Sequence, residues 1–102
     1  MKTYTVIISP SALQDIDNIA DFLITKLSKE SSYNYVDMMI NEVESLSIYA
    51  DCFTSSRSVV IRAIHPDARR MLSHNHKWNY IFHIEDEIVF VDIILASKMI
   101  KN

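Results

Sequence analysis

The stretch ARRMLSHNHKWNYIFHIEDEIVFVDIILASK, Ala68 to Lys98, decides the fold. It divides into three runs with strand character. Arg69 to Ser73 is short and basic, and Trp78 to Glu85 alternates, with Trp78, Tyr80, Phe82 and Ile84 on one face. Glu87 to Leu95 is an almost unbroken β-branched and aromatic run. The three read as an antiparallel meander. Asn75 and Asp86 stand at its two breaks, and these are the residue types that best tolerate a left-handed backbone where glycine is absent. The chain has no glycine at all, so each turn is made by a residue that meets a steric cost. A strand as apolar on both faces as Ile88 to Leu95 belongs inside a sheet, covered on at least one side.

The cover lies upstream. Thr3 to Ser9 reads as a first strand with Tyr4, Val6 and Ile8 on one face, and Ser9-Pro10 reads as the cap and first position of a helix. Leu13, Ile16, Ala20, Leu23 and Leu27 then recur at spacings of three and four, which predicts a helix from Pro10 to about Lys29. After a break at Ser28 to Ser32, Val36, Met39 or Ile40, Val43, Leu46 and Ala50 form a second stripe, predicting a helix from Ser32 to about Ala50. Two helices joined by so short a connection double back as a hairpin, whose joint apolar face is the natural lid for the sheet. In Cys52 to Pro66, Val59, Val60 and Ile61 suit either a short strand or an anchored loop, and the loop is favoured. The fold class expected is α+β, in the order β-α-α-β-β-β, with the helices on one face. Residues 1–102 make one domain. The first strand is free to pair parallel to the last.

With 49% hydrophobic and 23% charged residues the chain has the balance of a folded globular protein rather than a disordered one. Its longest apolar run is interrupted by Asp92 and falls short of the roughly 20 residues of a membrane span. No membrane partner is expected. Met1 to Tyr4 leads straight into a strand without a secretory signal pattern, and the single cysteine, Cys52, cannot form an intrachain disulfide; together these point to a cytoplasmic protein. A net charge of −3 argues against a surface that grips nucleic acid all over. The charges are segregated, however. The first fifty residues hold three cations (Lys2, Lys26, Lys29) and seven acids, whereas the remainder holds Arg57, Arg62, Arg69, Arg70, Lys77, Lys98 and Lys101 with all four histidines. A polyanion, if met, is met by the second half.

Several residue patterns together carry a resemblance. The Ser9-Pro10 start, the Ala12, Asp15, Ile16, Ile19 pattern, and an Arg-Arg-Met-Leu strand followed by Asn-Tyr-Ile-Phe resemble the RelE/ParE superfamily, toxins of bacterial type II toxin-antitoxin modules. The resemblance covers nearly the whole chain and implies a cognate antitoxin as partner. Within the superfamily, ParE-like members inhibit a protein target, DNA gyrase, while RelE-like members are ribosome-dependent endoribonucleases that cut mRNA with basic and aromatic side chains. A third possibility is a non-toxic remnant that only binds its antitoxin. RNA cleavage requires a general base, an acid for the leaving oxygen and cations for the phosphate. Arg69, Arg70 and Lys98 are the candidates for the phosphate. In many relatives the last strand runs into an aromatic residue or histidine followed by arginine, but here the chain reads Leu95-Ala96-Ser97-Lys98, without that acid/base residue. The ParE-like reading is therefore preferred, with Arg69, Arg70, Lys77 and Lys98 as target-binding residues.

Arg69 and Arg70 alternate across a strand, so only one can face the helices. Tyr80 shares the apolar face of its strand and reads as core. His74-x-His76, with His83 one strand along, lacks a cysteine or carboxylate at ligand spacing, so no metal is expected. His65 reads as a loop residue and Cys52 as a buried hydrophobe at a helix end. Without glycine there is no phosphate-cradling loop, and no cofactor is expected.

Overall fold

The computed structural model describes residues 2–99. The elements run β1 (Thr5–Ile8), α1 (Pro10–Ile24), α2 (Lys29–Glu44), α3 (Leu46–Tyr49), α4 (Val59–Arg62), β2 (Arg69–Leu72), β3 (Trp78–Glu85) and β4 (Ile88–Ala96). The strands lie in the order β1-β4-β3-β2. β2, β3 and β4 form the expected antiparallel meander, and β1 pairs parallel with β4 from Thr5 opposite Ile88 to Ile8 opposite Val91. The most apolar strand is thus interior, with its ladder groups satisfied on both sides.

The α1–α2 hairpin covers one face. Tyr80, Phe82, Val89, Val91 and Ile94 pack there against Ala12, Ile16, Ile19, Leu23, Met39, Val43 and Leu46. The α1 stripe is rotated from the expected one: Leu13 and Leu27 are exposed, and Ala12 and Ile19 take the buried places. The reason is where the helices end. Ser9 Oγ accepts from Ala12 N and α1 stops at Ile24, closed by Thr25 Oγ1 donating to Phe22 O at 2.6 Å, while Ser28 Oγ already caps α2 by accepting from Ser31 N. The second helix therefore begins three residues earlier than expected and breaks at Ser45, after which α3 carries Leu46 to a buried site.

A β-bulge sets the registry of β4. Ile81 pairs with Ile93 and Phe82 with Val91, which leaves Asp92 as the extra residue. The start of α1 satisfies the freed backbone: Ser9 Oγ donates to Asp92 O at 2.8 Å, and Ile94 N donates to Asp15 Oδ2 at 2.9 Å. This accounts for the Ala12, Asp15, Ile16, Ile19 pattern, in which three residues are core and the fourth, Asp15, caps the sheet edge beyond the end of β1.

The segment favoured as a loop contains a helical turn. Arg62 N donates to Ser58 O and Ala63 N to Val59 O, and Ile61 is fully buried against Ala68 and Ile81 on the sheet face opposite the hairpin. Burial of one side chain overrides the β preference of Val-Val-Ile. Cys52 is exposed rather than buried, because a 3₁₀ turn over Ala50–Cys52 gives the buried place to Ala50. At the β2–β3 turn the left-handed residue is His76 (φ 65°) and not Asn75; Asp86 takes that conformation at the next turn, as expected (φ 56°). No helix among the described residues is long and apolar enough to cross a membrane.

Candidate target-binding cleft

The two adjacent arginines of β2 do different things. Arg69 stands opposite Phe82, on the hairpin face, and its Nη1 donates to Phe53 O at 2.7 Å, while its Nε is buried without a partner. It tethers the Phe53–Ser56 segment, which continues with a bridge between Ser55 and Arg69 and with Ser56 N donating to Ala68 O at 2.8 Å. Arg70 stands opposite Ile81, on the other face, with Leu72 and Asn79.

There the surface is concave. A cavity of about 660 Å³ is lined by Cys52 to Val59 and Arg70. A second, of about 390 Å³, is lined by Phe53, Arg70, Leu72, His76, Asn79 and Ser97. A third, of about 370 Å³, is lined by His76, Lys77, Trp78, Ala96, Ser97 and Lys98. Phe53 and Arg70 belong to the first two and His76 and Ser97 to the last two, so the three form one tract. Of the sequence candidates, Arg70, Lys77 and Lys98 come together along it, joined by Arg57; Arg69 turns away. The lining contains no aspartate or glutamate.

The far end of the tract is held by polar side chains that periodicity does not single out. Buried Asn79 donates through Nδ2 to Ser97 Oγ at 3.0 Å, Ser97 Oγ donates to His76 O at 2.7 Å, and Ser97 N donates to Lys77 O at 2.9 Å. Ser97 thus pins the end of β4 to the β2–β3 turn. The turn is fixed in its own right. Asn75 Oδ1 accepts from Lys77 N, and Tyr35 Oη accepts from Asn75 Nδ2 at 2.6 Å and from Trp78 Nε1 at 2.9 Å. Glu42 accepts from His74 N at 2.7 Å and from Tyr80 Oη at 3.2 Å. Tyr80 is fully buried, as read from its strand face, and burial first, then the Glu42 carboxylate, raises its phenol far above the ordinary value. It is a permanent hydrogen-bond donor and not a base.

No family model matches this chain, and no curated protein sequence does. Among solved structures, a chain of "Chromosomal ParDE TA system from P. aeruginosa" superposes with a TM-score of 0.78 over 92% of this chain and 96% of that one, at 17% identity. The fold is that of a ParDE toxin-antitoxin chain. At that identity the likeness is one of backbone architecture, and the cationic tract is a property of this chain's own residues.

Proposed function

We propose that this chain is a ParE-like toxin that acts in the cytoplasm by binding and inhibiting a protein target such as DNA gyrase, and that a cognate antitoxin neutralises it. The reading rests on one observation above the rest: the tract carries Arg57, Arg70, Lys77 and Lys98 and no carboxylate. Such a lining attracts an acidic surface. RNA cleavage needs a base and an acid placed on either side of a phosphate, and the one histidine of the tract, His76, has no acidic partner in it. An antitoxin has apolar surface to cover at the hairpin tip, where Phe22, Ile24, Leu27 and Tyr33 are exposed.

Induced expression, alone and with the product of the neighbouring gene, followed by supercoiling and translation assays on the purified protein, tests the reading. The expected result is growth arrest relieved by the neighbour, loss of gyrase supercoiling, and loss of both effects in Arg70→Ala with Lys98→Ala. Fragmentation of ribosome-bound mRNA by the parent protein would replace it with the ribonuclease reading, and no growth effect with retained binding to the neighbour would identify a non-toxic remnant.

A further inference from the structure

On the hairpin-free face, away from the cationic tract, three side chains remote in sequence converge. His83 and Glu85 project from that side of β3, and His65, in the loop after α4, stacks on the His83 ring with centroids 3.8 Å apart and planes 4° from parallel. One ligand atom from each of His65, His83 and Glu85 lies within 4.8 Å of the other two. We propose that these three residues bind a first-row divalent transition metal ion, Zn²⁺ by its donor set, with Asp92 positioning His83.

Asp92, the extra residue of β4, places Oδ2 2.6 Å from His83 Nδ1. A carboxylate only accepts, so Nδ1 carries a proton and the ring turns its other nitrogen, Nε2, outward as the ligand position. That nitrogen lies 3.6 Å from Glu85 Oε1. Two lone-pair donors facing each other at this distance repel unless a cation stands with them, either a proton on Nε2 or a metal ion. A proton would need Glu85 alone. The third donor, His65, and the carboxylate behind the imidazole are what a metal site requires: two imidazoles and one carboxylate make up a zinc set that leaves a fourth position for water. A carboxylate hydrogen-bonded to the far nitrogen of a ligating histidine fixes its tautomer and orientation. The His83 ring is also held from its other side by Phe90, at 5.2 Å and 18°. His65 Nδ1 accepts from Asp67 N at 3.0 Å; to ligate, the ring tilts out of the stack and gives that amide, on an exposed residue, to water. Binding then clamps the loop after α4 to β3. No residue of this site lines the tract, so the inference stands or falls apart from the toxin reading.

The test uses tag-free protein stripped with chelator, titrated with Zn²⁺ by calorimetry and followed by thermal melts. One ion per chain is expected, with a melting temperature that rises with Zn²⁺ concentration and returns on adding chelator. His83 is buried, so His65→Ala and Glu85→Gln are the informative variants; each weakens binding at least tenfold while melting like the parent without metal. Asp92→Asn weakens it by about 10- to 100-fold, and Co²⁺ bound in place of Zn²⁺ loses its four-coordinate visible spectrum in that variant. Replacing His74 and His76 together with alanine leaves the affinity unchanged. No saturable binding, an affinity unchanged in either His65→Ala or Glu85→Gln, or binding lost with His74 and His76 overturns the proposal.

Discussion

Replacing Tyr80 with phenylalanine should invert its effect on stability between neutral and strongly alkaline pH. At neutral pH the variant loses the bond from Oη to Glu42 at 3.2 Å, while half-buried Glu42 keeps its bond from His74 N and can take water. The net cost is about 1 kcal/mol, or a melting temperature lower by roughly 4–8 °C for a domain of this size. At high pH the sign changes. The unfolded phenol titrates near its ordinary value of 10.0, whereas the folded one is held far above it by burial and then by Glu42. Above that ordinary value the unfolded chain binds fewer protons than the folded chain, so stability falls with pH. This contribution is fully present below pH 10 and is lost as pH rises toward the folded value, at about 1.4 kcal/mol per pH unit. The phenylalanine variant lacks that slope. The two stability curves should therefore cross at about pH 11. Urea unfolding of both proteins in steps from pH 8 to pH 11.5 reads this directly. A stability difference that stays constant across the range would show that the phenol is not buried against a carboxylate.

Leu23→Asp places an unpaired charge in the hairpin–sheet core and should cost on the order of 4 kcal/mol, seen as loss of a cooperative thermal transition; near-parental melting would overturn the helix assignment. Adjacent arginines should separate: Arg69→Ala, which frees Phe53 O, lowers stability by about 1–3 kcal/mol in guanidinium titration, while Arg70→Ala changes it by less than about 0.5 kcal/mol and flattens the salt dependence of target binding. Tyr35→Phe leaves Trp78 Nε1 and Asn75 Nδ2 without their acceptor and should cost about 1–3 kcal/mol, with faster amide exchange in the 73–78 turn than in the rest of the sheet.

Much of the architecture is carried by local pattern. The alternation of Trp78 to Ile84, the apolar run of β4 and the Ser9-Pro10 start each specify an element through side-chain periodicity or backbone sterics. With no glycine and few breaks, they admit few arrangements. Even the interior place of β4 and its parallel pairing with β1 follow from one strand being too apolar for an edge. Periodicity could not supply helix phase to within one residue. Leu13 and Ala12 are adjacent in sequence, and it is Ala12 that lies inside where Ser9 caps α1 and ties its start to Asp92 of β4.

The cleft and the histidine cluster belong to tertiary structure. Arg69 and Arg70 are equivalent in sequence, and strand parity says only that they diverge; the Phe53 carbonyl determines which one is tied down. Asn79 and Ser97 are unremarkable polar residues until the end of β4 folds back on the β2–β3 turn. The histidine spacing visible along the chain, His74-x-His76, does not point to the cluster that forms. His65 meets His83 across eighteen residues, because Ile61 anchors its turn over Ile81, and Asp92 reaches His83 only because a bulge turns it out of the strand's alternation. Local sequence specifies backbone geometry through forces that act within a few residues. Which polar groups face each other depends on where the apolar surfaces come to rest, and burial, having no direction of its own, is resolved only when the whole chain is assembled.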